Sequence, residues 1–179
     1  MIKQVKLNID YERYVNADYL SHSHSCLCQL KREQAELYEP WNGLPESYTD
    51  DNTKLYQLWW DRDQIDYDDL GSQLGMEVVS VSTVLQQPGC TIPLHKDSFY
   101  KLKTQFPDRT ERRVRANVHL TPYRIGQLIQ WQESGSSFTY VGWEPGDGIM
   151  WDSTVPHLGS NAGMDNKITM QISGFLIEE

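Results

Sequence analysis

Cysteine is scarce in this chain of 179 residues: Cys26, Cys28 and Cys90 make an odd number, and two of them are neighbours but one. That pattern excludes a disulfide framework and suits reduced thiols in a reducing compartment. Long apolar runs are missing as well. None approaches the roughly 20 residues of a membrane-spanning helix, and the opening MIKQVKLNIDYERYV has no signal-peptide core. A cytoplasmic protein with no membrane partner is the expectation. Basic charge is in deficit, with 16 Lys and Arg against 25 Asp and Glu for a net charge of -9, which disfavours nucleic acid as a partner. The Gly-containing turns Gly71–Gly75 and Glu144–Gly148 lack the Gly-Lys-Ser/Thr ending of a phosphate loop. No Ser-His-Asp or Cys-His arrangement has a spacing suited to nucleophilic catalysis.

What is present is a change of period. Residues 1–75 read as mixed and mainly helical: a strand from Ile2 to Ile9, then helices near Leu30 to Tyr38 and Asp51 to Arg62, punctuated by Pro40, Gly43 and Pro45. The run of aspartates between Asp50 and Asp69 fits a solvated helical face. From residue 76 to 179 the period is two. The runs EVVSVSTVL, CTIPLH, VRANVHLT, GQLIQWQ, SFTYVGW, GIMWD and KITMQISGFLI are separated by turn signals, with no helical pattern between them. A mainly β jelly roll with N-terminal helices, in a single 1–179 domain, is the expected architecture.

Two of these strands divide their faces sharply. Val114, Ala116, Val118 and Leu120 alternate with Arg115, Asn117 and His119, while Ile168, Met170 and Ile172 alternate with Lys167, Thr169, Gln171 and Ser173. If helices cover the apolar face, the polar face lines the interior, where it can meet a charged ligand.

The chemistry is carried by His95-Lys96-Asp97. Alone the motif is weak, because this composition gives about 0.4 such pairs by chance. A His and a carboxylate two apart in extended chain nevertheless project to one side and can share an ion. His157, after the strand-turn signal GIMWDSTVPH, is the best third ligand, and a two-His-one-carboxylate set suits non-haem Fe(II) with open positions for a co-substrate and O₂. Ten residues further, Lys167 with Thr169 offers a cation and a hydroxyl to a carboxylate.

These motifs, PGCTIPLH, VRANVHL and WEPGDGIMWDSTVPH followed by a cation, cover about half the chain, from Pro88 to Phe175. They resemble the Fe(II)- and 2-oxoglutarate-dependent oxygenase superfamily, and their order looks most like the aspartyl/asparaginyl β-hydroxylase group. The resemblance implies a double-stranded β-helix in which His95, Asp97 and His157 bind iron. It implies further that His119 lies near the metal-proximal carboxylate of 2-oxoglutarate, and that Lys167 and Thr169 hold its far carboxylate. Lysine at 167 departs from the arginine usual in that group and looks like prolyl 4-hydroxylases. Asn117 stands where an arginine for acidic substrates is expected. The carboxylate at Asp97 argues for hydroxylation, since halogenating relatives carry a small residue there. The implied substrate is an amino-acid residue in a protein or peptide, or a free amino acid.

Two other readings compete: a cupin metalloenzyme that does not use 2-oxoglutarate, for which three or four histidine ligands are usual, and a jelly-roll binding protein with no catalytic role. A further cluster, His22, His24, Cys26 and Cys28, would share one side of an extended segment, although zinc sites usually space paired ligands more widely. The tryptophans Trp59, Trp60, Trp131, Trp143 and Trp151 are expected mainly in the core.

Overall fold

The computed structural model describes residues 1–177. Its eleven strands are β1 (Ile2–Lys6), β2 (Ser23–Ser25), β3 (Lys54–Trp60), β4 (Met76–Gln86), β5 (Cys90–His95), β6 (Arg113–His119), β7 (Gln127–Glu133), β8 (Ser136–Tyr140), β9 (Asp147–Asp152), β10 (His157–Asn161) and β11 (Lys167–Leu176). All pairings are antiparallel. They form a seven-stranded sheet in the order β1-β9-β6-β11-β4-β3-β2 and a four-stranded sheet in the order β5-β10-β7-β8. This is the jelly roll expected from the strand spacing.

The division of faces in β6 and β11 decides which side of the large sheet is dry. Val114, Ala116, Val118, Ile168, Met170 and Ile172 join Leu70 and Leu74 in the main core cluster. The last two belong to helix α4 (Tyr67–Leu74), the fourth after α1 (Glu12–Val15), α2 (Leu27–Glu33) and α3 (Ala35–Tyr38). Asp66 caps α4 by accepting from the amides of Asp68 and Asp69, and Gly75 ends it in a left-handed turn at φ 70°. Gly71 lets α4 lie against the sheet, because a Cβ there would stand 2.5 Å from the Met76 carbonyl oxygen. With the apolar face covered by helix, the other face, carrying Arg115, Asn117, Lys167 and Thr169, turns toward the small sheet. No helix among the described residues is long and apolar enough to cross a membrane.

Several expectations for the N-terminal part are corrected. Residues 51–62 are not a helix: β3 occupies Lys54–Trp60 and pairs with β4 in the register Tyr56↔Leu85 and Trp60↔Val81. Leucines and aromatics on a partly buried pleated surface satisfy a strand as well as a helix. The one helix-like piece is the turn at 49–53, where Thr53 N–H donates to the Thr49 carbonyl at 3.1 Å. The helix expected at 30–38 is two short helices, broken at Gln34. Residues 1–75 are also less helical than expected, since β1, β2 and β3 extend the large sheet at both ends. Helix α5 (Tyr100–Gln105) interrupts the series of strands between β5 and β6, where none was expected.

The cluster His22, His24, Cys26 and Cys28 does not share one extended side. β2 spans only Ser23–Ser25, Cys26 is the residue before α2 and is buried, and Cys28 lies in the helix and is exposed. Among the described residues, the only group of three or more His, Cys, Asp and Glu placed to share an ion lies elsewhere.

Candidate metal centre

β5 ends and β10 begins at the same place. His95, the last residue of β5, stands directly opposite His157, the first of β10. Sixty-two residues of sequence thus close onto one point between the two sheets. Asp97 follows two residues beyond the end of β5, where the chain leaves the strand and turns at Phe99 into α5, in left-handed backbone at φ 50°. The Phe99 ring is buried in one cluster with Leu102 and Phe175, which fixes the turn.

One ligand atom from each of His95, Asp97 and His157 lies within 4.8 Å of the others. Each imidazole is oriented by a carbonyl two residues before it: His95 Nδ1 to Pro93 O at 2.8 Å, and His157 Nδ1 to Val155 O at 3.0 Å. A carbonyl can only accept, so Nδ1 carries the proton in both rings and Nε2 keeps its lone pair free for a metal. Burial lowers the pKa of both, to about 3 for His157 with help from neighbouring His95, so both are neutral and ligand-competent at pH 7.

Asp97 is the opposite case. Burial alone would raise its pKa, but the charge of Arg115, helped by the Trp151 N–H, outweighs that and holds the carboxyl well below its usual range. Arg115 Nη1 donates to Oδ1. Trp151 Nε1 donates to Oδ2 at 2.7 Å. Arg115 also donates from Nε to Ser173 Oγ at 3.1 Å, which ties the guanidinium to β11. A buried carboxylate with two neutral imidazoles is a fitting donor set for a divalent first-row metal, and two His with one carboxylate is the set used by non-haem Fe(II).

The cavity that exposes His95 and His157 continues along the inner face to Asn117, Thr169 and Lys167. Lys167 is 4% exposed. Its Nζ donates to the carbonyls of Ser160 at 3.1 Å and Leu128 at 3.3 Å, and none of the ion pairs among the described residues includes it. Burial drives its pKa down to about 7. A buried cation without a counter-charge is expensive, and an anion entering the cavity would supply the missing partner. Nζ lies over Gly159, where a Cβ would be in ordinary van der Waals contact at 3.7 Å.

No protein-family model matches the chain, and no curated protein matches it. Solved structures do. A Pseudomonas putida prolyl-4-hydroxylase has 16% identity and a TM-score of 0.56 over 98% of this chain and 92% of that one. The non-haem alpha-ketoglutarate-dependent epimerase SnoN from nogalamycin biosynthesis gives 10% and 0.60 over 98% and 76%. A viral collagen prolyl hydroxylase from Paramecium Bursaria Chlorella virus-1, solved with 2-oxoglutarate, gives 11% and 0.51 over 99% and 96%. The chain has the fold of non-haem 2-oxoglutarate-dependent enzymes.

Within that fold, the residues expected from sequence fall into two groups. His95, Asp97 and His157 converge, and Lys167 and Thr169 lie together in the same cavity. His119 lies apart from the ligand group and close to Lys167. It pairs across the sheet with Thr169, whereas Arg115, four residues earlier, is the one that reaches Asp97. His119 therefore belongs to the Lys167 end and not the metal end. It is fully buried, stacks on Trp143 with ring centroids 3.5 Å apart, and leaves both ring nitrogens unpartnered. Burial and the charge of Lys167 keep it neutral.

Sequence reasoning missed Arg115 and Trp151 as partners of Asp97. Trp151 was expected to be core, and its ring is buried. The WD pair that ends β9 gave no sign that the indole N–H faces a carboxylate 54 residues away.

Proposed function

We propose that the protein is an Fe(II)- and 2-oxoglutarate-dependent dioxygenase that hydroxylates an amino-acid residue in a protein or peptide, or a free amino acid. The observation that carries this reading is a single cavity with His95 and His157 of the ligand triad at one end and a buried lysine without a counter-charge at the other. When bound, iron with 2-oxoglutarate and O₂ supplies oxidative decarboxylation to succinate and CO₂, coupled to oxidation of a substrate C–H bond.

The chain's own residues bind, orient and shield. His95, Asp97 and His157 hold the metal on one side and leave the cavity side open. Arg115 and Trp151 keep Asp97 ionised and in place. Lys167 Nζ sits over Gly159, two residues and so about 7 Å of strand beyond His157. That span suits a five-carbon dicarboxylate chelated at its keto-acid end, with Lys167 and Thr169 at its far carboxylate. His119 supports that far end in this reading, in place of the near carboxylate.

A second, wider groove opens on His95 and Asp97. Asp97, His95 and Arg115 form its inner end, and Gln57, Trp59 and Tyr100 stand further out. Trp59 and Tyr100 are exposed, and Lys101 Nζ lies 4.6 Å from the Trp59 ring centroid. We assign this groove to the substrate, because it reaches the metal ligands from the side that the 2-oxoglutarate cavity leaves free. The order of sequence motifs favours an aspartyl/asparaginyl-type hydroxylase, and the lysine anchor favours the prolyl 4-hydroxylase pattern. Hydroxylation is common to both. The cupin alternative loses support because His119, the third histidine of the inner face, stands outside the ligand group.

The test is turnover. Metal-free protein given Fe(II), 2-oxoglutarate and O₂ should release succinate, even without its substrate, by slow uncoupled decarboxylation. Iron uptake with no succinate under any of these conditions would favour the cupin reading, and no iron uptake would favour a binding protein.

A further inference from the structure

β5 carries His95 and leads into Asp97, yet it is an edge strand: β10 covers one side and no strand among the described residues covers the other. Main-chain groups on a bare edge need partners, and a bare edge is free to move. Here the N-terminal segments take the place of the missing strand. The carbonyl of Asn52 accepts from Thr91 N–H at 2.8 Å. Tyr38 Oη donates to the Leu94 carbonyl at 2.6 Å. The third contact falls between His95 and Asp97, the two ligands that the metal-site reading places at the β5 end. Gln34 Nε2 donates to the Lys96 carbonyl at 2.8 Å, and Gln34 Oε1 accepts from Lys96 N–H at 3.0 Å.

We propose that Gln34 is a positioning residue for the metal centre, whose side-chain amide fixes the main chain of Lys96 and thereby sets where the Asp97 carboxylate stands relative to the His95 and His157 imidazoles. This rests on the metal-site reading above. An amide is the one terminal group that can do it from this position. A donor and an acceptor side by side reproduce the paired N–H and C=O bonds that a neighbouring strand residue would make. Glutamate keeps the acceptor and loses the donor, and alanine loses both. The break between α2 and α3 falls at Gln34 itself, in non-helical backbone at φ -116° and ψ 17°, and the residue is 8% exposed. Its reach is long in sequence, 62 residues, and short in space.

Asp97 has its own anchors in Arg115 and Trp151, so loss of Gln34 should weaken the metal site and not abolish it. Outer partners of metal ligands typically change affinity about 10- to 100-fold. The experiment uses the full chain, freed of metal and titrated with Co(II) in competition with a chelator. Gln34→Ala should bind Co(II) roughly 10-fold or more weakly, with an altered visible Co(II) spectrum, and Gln34→Glu should fall between it and wild type. In the metal-free protein, amide hydrogen exchange at Lys96 should accelerate in Gln34→Ala. Tyr38→Phe, which removes only a hydroxyl, should show a smaller weakening of the same kind, and with Gln34→Glu it carries the test if the alanine variant does not fold. Wild-type Co(II) affinity and spectrum in these variants, whatever their melting temperatures, would overturn the proposal. A wild-type chain that takes up no Co(II) would instead overturn the metal-site reading beneath it.

Discussion

His95 and His157 face each other across the β5–β10 pair, with ring centroids 4.2 Å apart and planes tilted by 55°. Each ring is turned by the carbonyl two residues before it. Two neutral imidazoles set this close, with an ionised carboxylate whose ligand atom lies within 4.8 Å of theirs, can share one ion. Metal that binds only the folded chain stabilises it by about 2.7 kcal/mol at 100 times Kd, which for a chain of this size is a rise in Tm of roughly 5–10 °C. Calorimetry with and without Co(II) should show that rise for the wild type and none for His157→Ala.

Lys167 makes a separate prediction, because its charge is a cost to the empty protein. Lys167→Met should weaken 2-oxoglutarate binding by at least 100-fold while making the metal-free chain more stable, on the order of a few kcal/mol at pH 7. The folded-state pKa of about 7 lies below the ordinary 10.5, so the cost of the buried charge is complete below pH 7. It is relieved as pH rises toward 10.5, where the lysine of the unfolded chain also loses its proton. The stability advantage of the methionine variant should therefore shrink across that range in denaturant titrations. An unstabilised variant with normal 2-oxoglutarate affinity would contradict the role given to Lys167.

The same group sets a pH dependence for the co-substrate. Only the protonated amine pairs with a carboxylate, and in the empty cavity it is half protonated near pH 7. The apparent Kd for 2-oxoglutarate should rise above pH 7, approaching tenfold per unit. Binding curves between pH 6.5 and 9 read this directly. Lys167→Arg, whose guanidinium stays charged throughout, should give a flat profile.

Trp151→Phe keeps the ring in the core and removes one N–H from Asp97 Oδ2. A hydrogen bond to a charged group contributes about 1.5–3 kcal/mol. The variant should fold, and its Fe(II) or Co(II) affinity should fall roughly tenfold. Unchanged affinity in a chelator competition would mean that Arg115 alone holds the carboxylate.

Legibility in the sequence followed the range of the interactions. β6 and β11 announce themselves because alternation is local; that the face of Arg115 and Asn117 looks inward follows from helix α4 covering the face of Val114, Ala116 and Val118. His95 and Asp97 were legible as a pair two apart in extended chain, and His157 as the residue closing a strand-turn signal. β3 was not, because its leucines and aromatics suit either period and its strand state is decided by pairing with β4. The position of His119 has a similar origin: which of the three inward residues of β6 reaches Asp97 depends on the β6–β11 register and on the turn at Phe99. Gln34, Arg115 and Trp151 reach the site across 62, 18 and 54 residues respectively, with no pattern around them to mark it.

The most direct measurement is optical. Metal-free protein is loaded with Fe(II) under anaerobic conditions and titrated with 2-oxoglutarate while the visible spectrum is recorded. A broad metal-to-ligand charge-transfer band should grow with 2-oxoglutarate and saturate at one equivalent; it should be lost in Asp97→Ala and displaced to higher 2-oxoglutarate concentration in Lys167→Met. Bound iron with no such band at saturating 2-oxoglutarate would contradict a cavity that holds the metal at His95, Asp97 and His157 and the co-substrate against Lys167.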